Sequence, residues 1–518
     1  MVISFPFTGS LFITGFMAWI PLLFIEEFIY ARKKKSSGLL LYSFITFFIY
    51  NIGASYWIMY SKGGEVGAAL TYVLNGFLMS LVFYSFHLTK KYIGSKQGYI
   101  GLVFYWIGFE YIHFIWELSW PWLSLGNIFA RVPEIIQWYD ITGVLGGTLW
   151  LLLVNLIIFK ILKNMFLSKE SFRVQTPLVF FVLALVIIPF FYSILVYINY
   201  KEDQSDTIEV VITQPNVDPY LEKFSGNTYE QLNKFLKIAD SLVTDSTAII
   251  LAPETAIAES FYEEQFKDSR INFYLVQHLK HWNGPAMLVG ASTKRFFEKK
   301  NSRASRPFSS GPGFYEFYNS SVLIDTINPP IFVHKSKLVP AVEKLPFSDV
   351  FPFLEKLSID NGGTTGTLGI EDEAKILQTK GFKFAPSICY ESVYGGFVAD
   401  QCRKGAEVIF VLTNDGWWDN SAGHKQHHAI ARLRAVETRR YVAQSANTGI
   451  STIINQRGEV VHETEYWKPA GIRAKLALNK KPTFYITYGD FLGRSFGFVF
   501  LIMMIYTFVQ YIRSKLIK

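Results

Sequence analysis

The sequence predicts two fold classes in one chain: a membrane α-helical bundle of seven spans and an α/β domain. Three observations carry this. Half of the 518 residues are hydrophobic and only 18% are charged, well below the quarter usual for soluble domains. The longest apolar stretches form seven runs, six before residue 200 and one after 490. Residues 201–490 have no run of that length and alternate short apolar segments with polar, helix-like ones. Such a composition excludes a disordered or collagen-like chain. Two cysteines in 518 residues also exclude a disulfide framework or a Cys-rich zinc module.

The runs lie at approximately 10–30, 39–60, 66–87, 98–117, 141–160, 178–199 and 492–512. Each is close to the ~20 residues a helix needs to cross the hydrocarbon core. A backbone with no water to bond must satisfy its own polar groups, so each run reads as a helix. The first run is not a cleaved signal peptide, because no basic region precedes it and Arg32, Lys33, Lys34 and Lys35 follow it. Basic residues then alternate from loop to loop. Lys90, Lys91 and Lys96 follow the third run, Lys160, Lys163, Lys169 and Arg173 the fifth, and Arg513, Lys515 and Lys518 the last. The second and fourth runs are followed only by Lys62 and Arg131. The positive-inside rule places the rich loops in the cytoplasm, and the N-terminus and residues 201–490 outside. The net charge of +8 is thus a topology signal, and no nucleic-acid partner is expected.

Ionisable residues within the runs need a partner or a purpose. Glu110, His113 and Glu117 recur at i, i+3 and i+7 on one helical face of the fourth run. They are either a functional set or a satisfied helix end. Glu26 and Glu27 are expected to pair at the interface with the Lys33, Lys34 and Lys35 cluster.

In the central region, segments 208–213, 246–252, 285–291, 320–325, 383–389 and 407–413 read as strands, and 228–243 and 424–440 as helices. Alternation of near-continuous apolar strands with helices indicates a sheet covered by helices. No GxGxxG follows a strand and no Walker A motif occurs, so nucleotide chemistry has no foothold. His424, His427 and His428 lack a carboxylate or Cys at ligand spacing; a solvent-facing helix start is expected there, with no metal and no cofactor. The Gly-rich stretches 311–313 and 361–369 are candidate flexible segments.

Strand ends are where α/β folds present chemistry. IILAPETA ends a strand at Glu254, and FVHKSKLVPAVEKLPF places Lys335 after an extended segment with Glu343 eight residues on. FKFAPSICYES ends a strand at Cys389, followed by Tyr390 and Glu391. A thiol becomes nucleophilic beside a base or a cation, so these ends supply a base, an oxyanion stabiliser and a nucleophile. Against this, a lone Cys is usually a small buried hydrophobe, the reading given to Cys402, and a lone Glu or Lys is usually solvated. Spacing alone leaves both readings open.

The ordered set PET (253–255), HKSKLVP with a later Glu (334–343) and CYE (389–391) resembles the nitrilase (carbon-nitrogen hydrolase) superfamily and its Glu, Lys and Cys triad. TQPNVDP (213–219), YNSSVLID (318–325), KLVPAVEKLPF, TNDGWW (413–418), RLRAVETRRYVAQSANTGISTIINQRGEV (432–460) and YGDFLGR (488–494) narrow this to a resemblance to the apolipoprotein N-acyltransferase family, over nearly the whole chain. The resemblance implies an α-β-β-α sandwich at 201–490, set between an N-terminal transmembrane bundle at 1–200 and a final span with a tail at 491–518. The family usually has one further span at its start, and this chain begins with the segment leading into the family's second. Where the family commonly has a Trp after the first strand of the domain, this chain has Phe224.

The implied reaction takes a fatty acyl group from a phospholipid and places it on the α-amine of an apolipoprotein's N-terminal diacylglyceryl-cysteine. Glu254 is the expected base, Cys389 the nucleophile that carries the thioester, and Lys335 the oxyanion stabiliser. Glu343, Tyr390 and Glu391 are expected in support, the two glutamates orienting Lys335 and the amine. Phe224, Trp417 and Trp418 are expected to contact the lipid. Both cysteines are expected to be free, because a disulfide would remove the nucleophile. A monomer in the bacterial inner membrane, with its catalytic domain on the periplasmic side, completes the implication. Two other classes compete: a membrane-tethered nitrilase-type amidase acting on a small amide, and a non-enzymatic transport or scaffold protein. An amidase would need only one anchor, and the filled triad positions argue against the scaffold.

Overall fold

The computed structural model describes residues 9–32, 36–61, 63–347 and 366–516. Lys33, Lys34, Lys35, Lys62 and Lys518 lie outside the described residues, as does most of the 361–369 stretch. The chain divides into two compact units. One comprises Met1–Tyr56, Val66–Tyr200 and Tyr488–Lys518; the other comprises Trp57–Glu65 and Lys201–Thr487. Residues 57–65, assigned from the sequence to the N-terminal bundle, therefore belong with the second unit.

Among the described residues, seven helices are long and apolar enough to cross a membrane. They are Leu11–Ala31, Ser37–Tyr60, Glu65–Tyr92, Ser95–Ile115, Val144–Phe166, Phe172–Asn199 and Phe491–Leu516. The fourth and seventh pack against each other through Phe104 on Phe496 and Tyr105 on Phe500. Small residues bring their backbones together: a Cβ on Gly108 would stand 3.2 Å from Gly497 Cα. The intramembrane carboxylates are all partnered. Glu110 accepts from Trp106 Nε1 at 2.9 Å, Leu125 N at 2.9 Å and Thr148 Oγ1 at 2.7 Å. Its oxygens are occupied by the fold, which favours the satisfied reading. Glu117 leaves the proposed face altogether, because the helix ends at Ile115 and Trp116 is extended. Among the described residues Glu26 pairs with His87 and Lys90, and Glu27 with Lys90 and Lys163; the expected partners Lys33, Lys34 and Lys35 lie outside them. Both glutamates are buried, and a buried charge demands a nearby fixed partner.

The second unit is built on fourteen strands among the described residues. In chain order they are β1 (Thr207–Gln214), β2 (Thr247–Leu251), β3 (Ile257–Tyr262), β4 (Ala286–Phe297), β5 (Arg306–Pro307), β6 (Phe314–Ile324), β7 (Ile331–His334), β8 (Leu377–Thr379), β9 (Phe382–Ile388), β10 (Val408–Thr413), β11 (Val442–Ala446), β12 (Thr452–Ile454), β13 (Val460–Glu463) and β14 (Ala470–Ala477). One sheet runs β14-β1-β2-β4-β6-β5, with β3 beside β4 and β7 beside β6; the other runs β13-β12-β11-β10-β9-β8.

The two sheets face each other. Successive side chains of a strand point to opposite faces. Val210, Ile212 and Leu251 of one sheet therefore share a core with Phe384, Phe410 and Leu412 of the other. Their neighbours point outward: Val211, Ile250 and Val289 pack under α1 (Thr228–Asp240) and α2 (Arg270–His281). On the far side Ile409, Val411 and Val442 pack under α3 (Gly395–Arg403) and α4 (Ala422–Thr438). The result is an α-β-β-α sandwich. Burial on both faces explains why the central strands read as continuous apolar runs. β1, β2 and β4 are mutually parallel, as are β9, β10 and β11. β7 is antiparallel to β6, itself antiparallel to β4, so β7 ends at the same edge as β2 and β4.

Candidate active site

Three of those strand ends deliver the expected triad to one cavity. Glu254 follows β2, Lys335 follows β7 and Cys389 follows β9, and all three line an opening of about 180 Å³. The backbone there is tightly fitted. A Cβ on Gly290 would stand 2.6 Å from Glu254 Cα, so only glycine lets β4 pass under that turn. Cys389 takes a left-handed φ of 48° as β9 gives way to a short 3₁₀ turn, Cys389–Val393. Residues held in such sparsely populated conformations cluster at active sites.

Lys335 is buried and bridges two carboxylates, with Nζ 3.1 Å from Glu254 Oε1 and 2.9 Å from Glu343 Oε1. The Asn319 side chain donates to the same two oxygens at 2.8 and 2.9 Å. Glu343 is fixed in turn by the Val339 N–H at 2.8 Å. Burial pushes the Glu254 carboxyl upward, but Lys335, Lys223 and Asn319 together hold it below its ordinary value. Burial likewise disfavours the Lys335 ammonium, yet Glu254 and Glu343 outweigh it and hold this group well above the usual lysine range. For the Cys389 thiol, burial and the Glu254 charge push the value well up, with Lys335 opposing them. At neutral pH the resting site therefore holds an ionised Glu254, a charged Lys335 and a neutral thiol. Proton transfer from Cys389 to Glu254 is therefore uphill in the resting site.

Glu391 and Tyr390 lie behind this surface and do not line the cavity. Glu391 accepts the Ile388 N–H at 2.7 Å and the Ser336 N–H at 2.5 Å, stapling the end of β9 to the loop that follows β7. Burial raises its carboxyl to about 7. Its two oxygens are taken up by these backbone donors, which tie it to the loop that carries Lys335. Tyr390 is buried edge-on against Tyr394, with ring centroids 5.2 Å apart. Phe224, Trp417 and Trp418 do line the cavity, together with Val339, Val342 and Leu368. Phe224 lies parallel to Trp417 at 6.5 Å, and Trp418 packs on Trp57 at 4.5 Å. The result is an apolar wall facing a polar floor.

Three residues near the site were given no part in it from the sequence. Asn319 stands inside YNSSVLID, but only the β4–β6 register turns it toward Glu254. Asn319→Ala is expected to leave both carboxylates short of a donor and to slow acylation of Cys389 by roughly tenfold to a hundredfold, read by quenched-flow mass spectrometry. Lys223 is buried in the same cavity, with Nζ donating to the Glu254 carbonyl at 3.2 Å and lying 5.7 Å from the Trp417 ring centre. Burial lowers its ammonium to about 8, with the Glu254 charge opposing the shift. The third is His427. The expected solvent-facing helix start is corrected: His424, His427 and His428 are buried at 1%, 0% and 9% exposure. α4 is enclosed, His424 stacking on Tyr466 and His427 bonding Asp415. Among the described residues no group of three or more His, Cys, Asp or Glu is arranged to hold a metal. Cys389 and Cys402 are both free, Cys402 being buried on the core-facing side of α3.

Residues 1–157 match the family model of the apolipoprotein N-acyltransferase N-terminal domain, and residues 214–480 match that of carbon-nitrogen hydrolases. The apolipoprotein N-acyltransferase of Chlorobaculum tepidum is 30% identical over 94% of this chain and 91% of its own. That of Geobacter metallireducens is 27% identical over 77% of this chain and 72% of its own. That of Borreliella burgdorferi is 24% identical over 96% of this chain and 91% of its own. Among solved structures, Nit3 of Saccharomyces cerevisiae, a nitrilase-superfamily member, is 16% identical with a TM-score of 0.38, covering 56% of this chain and 97% of that one.

Proposed function

Because this chain belongs to the apolipoprotein N-acyltransferase family, we propose that it moves a fatty acyl group from a phospholipid, through a thioester on Cys389, to the α-amine of an apolipoprotein's N-terminal diacylglyceryl-cysteine. The observation that carries this reading is one cavity in which Cys389, Glu254 and Lys335 face an apolar aromatic wall, in a chain with seven spanning-length helices.

The reaction runs in two halves. Glu254 takes the Cys389 proton as sulfur attacks the ester carbonyl of the phospholipid. Negative charge collects on the former carbonyl oxygen, where Lys335 stabilises it. The lysophospholipid alkoxide leaves with the proton returned by Glu254. The lipoprotein amine then attacks the thioester, Glu254 takes a proton from the nitrogen, and Cys389 recovers its own. Glu343 and Asn319 hold Lys335 and Glu254 in register throughout. Phe224, Trp417 and Trp418 receive the acyl chain. No step requires a cofactor.

The chain works as a monomer in the bacterial inner membrane with Lys201–Thr487 on the periplasmic side, a topology supported by the alternation of basic loops. The test uses purified full-length protein in detergent. Incubation with phospholipid alone is expected to add one acyl mass to the peptide carrying Cys389, and a diacylglyceryl-cysteine peptide then removes it and gains an amide. Acylation without transfer to the peptide would reject the acceptor; release of ammonia from small amides without acylation by phospholipid would make the protein an amidase.

A further inference from the structure

One cation in the catalytic cavity keeps donors that the protein does not use. Lys223 follows β1, is only 3% exposed, and lines the same opening as Glu254, Lys335 and Cys389. An ammonium carries three N–H donors. Among the described residues Lys223 makes one hydrogen bond, from Nζ to the Glu254 carbonyl at 3.2 Å. The Glu254 carboxylate itself is turned away, its Oε1 accepting from Lys335 at 3.1 Å and from the Asn319 amide at 2.8 Å. The two lysines of the cavity are thus held differently. Lys335 lies between two carboxylates, whereas Lys223 has two hydrogens that no described side chain or carbonyl takes.

The surroundings of that ammonium are aromatic. Nζ lies 5.7 Å from the centre of the Trp417 ring and 5.9 Å from that of Phe224. Ring faces attract a cation at this range but do not take up its remaining N–H groups. A buried ammonium without a hydrogen-bonded anion is costly, and burial draws this one down to about 8 against the Glu254 charge, so at neutral pH it is still mostly protonated. Lys335 with Glu254 and Glu343 leaves a surplus of negative charge, which Lys223 offsets through space. That service uses no hydrogen bond and leaves the two donors open. They sit where the polar floor of the cavity meets its aromatic wall, the same division that a glycerophospholipid has between its phosphate and its acyl chains.

We propose that Lys223 binds the phosphate of the acyl donor: its open N–H groups take the phosphodiester oxygens of the phospholipid, while Phe224 and Trp417 take the acyl chain and Cys389 reaches the ester carbonyl. This deepens the acyl-transfer reading and rests on it. In that reaction the phosphodiester is the group that enters with a permanent negative charge, and the acceptor brings an amine instead. Lys223 therefore favours the donor while the thiol is free and disfavours the protonated form of the acceptor amine. No covalent bond is made or broken at Lys223. The phosphate departs on the lysophospholipid, which leaves the same two donors open for the next phospholipid.

The test compares two donors with the same chains, phosphatidylmethanol, whose headgroup is little more than the phosphodiester, and diacylglycerol, which lacks it. Full-length protein in detergent receives one or the other without acceptor, and acylation of Cys389 is followed by quenched-flow mass spectrometry over a range of donor concentrations. The wild type is expected to prefer the phospholipid by roughly tenfold to a hundredfold in the second-order rate constant, the worth of hydrogen bonds to a charged group. In Lys223→Met that preference is expected to fall to near unity, through weaker apparent affinity for the phospholipid. The ratio between donors is the readout, because losing the bond to the Glu254 carbonyl, or the charge beside Glu254, slows both donors alike. A wild type without preference, or a Lys223→Met protein that keeps it, overturns the proposal. If that variant does not fold, Lys223→Gln serves: it retains an N–H for the Glu254 carbonyl and removes the charge, most of the preference is expected to go, and a full preference in it overturns the proposal. Failure of the acyl-transfer reading has a different signature: neither donor acylates Cys389 in the wild type, and the assignment of Lys223 falls with it.

Discussion

Cys389→Ala is expected to abolish acyl-enzyme formation and to lower overall transfer by about 10⁴-fold or more, because no neighbouring group can replace a covalent nucleophile. The same variant is expected to melt within a few degrees of the wild type. Burial holds the thiol neutral at rest, so its removal takes no charge from the cluster of Glu254, Glu343 and Lys335. Alanine meets the left-handed φ with the same Cβ that cysteine has. Intact-protein mass after incubation with phospholipid, beside a thermal melt, checks both halves. Retained turnover would reject the nucleophile; a large drop in melting temperature would mean the sulfur holds the turn together.

Lys335→Met is expected to fail in both respects. It removes an oxyanion donor, a loss of about 10²–10³ in rate. It also leaves Glu254 and Glu343 sharing Asn319 without the cation between them, and breaking a buried pair on one side costs about 3–5 kcal/mol. The pH dependence should change as well. In the wild type Glu254 is held below its ordinary value, so its contribution to stability is present above the unfolded carboxyl value and is lost as pH falls through the folded one. Lys335 is held above its ordinary value, so its contribution is present at neutral pH and is lost only at strongly alkaline pH. Without Lys335, burial pushes the Glu254 carboxyl upward, and the variant gains stability as pH falls from 8 to 5, a range over which the wild type keeps its Glu254 contribution. Melts at pH 5 and pH 8 measure this. The acid limb of the residual activity is expected to move to higher pH as the base becomes protonated earlier.

How much of this was legible in the sequence depended on where each residue sits along its element. Glu254, Lys335 and Cys389 each follow the last residues of an apolar strand, and one edge of the sandwich gathers such ends. Asn319 is mid-strand, and its direction follows from the pairing of Ser292 with Asn319, which no local pattern encodes. Lys223 and His427 were hidden by a different rule. Lysine and histidine are ordinarily read as solvated, and α4 is enclosed on nearly all sides, so it shows no polar stripe to betray which face is buried. In the membrane unit, Glu110 and Glu117 looked like one face because periodicity does not reveal that the chain becomes extended at Trp116. The aromatic richness of the spans was plain from composition, whereas the partners of Glu26 and Glu27 lie on other helices.

The short segment Trp57–Glu65 has a consequence for dissection of the chain. It lies between two spans in sequence, yet Ser61 lines the catalytic cavity, the Trp57 indole N–H donates to Gln426 at 3.0 Å, and the Trp57 ring supports Trp418. The cavity is thus encoded discontinuously, interrupted by Val66–Tyr200, a stretch that holds four of the spanning-length helices. A fragment running from 201 to 487 would contain the triad and still lack part of its wall. Any excision of the catalytic unit therefore has to carry residues 57–65 with it.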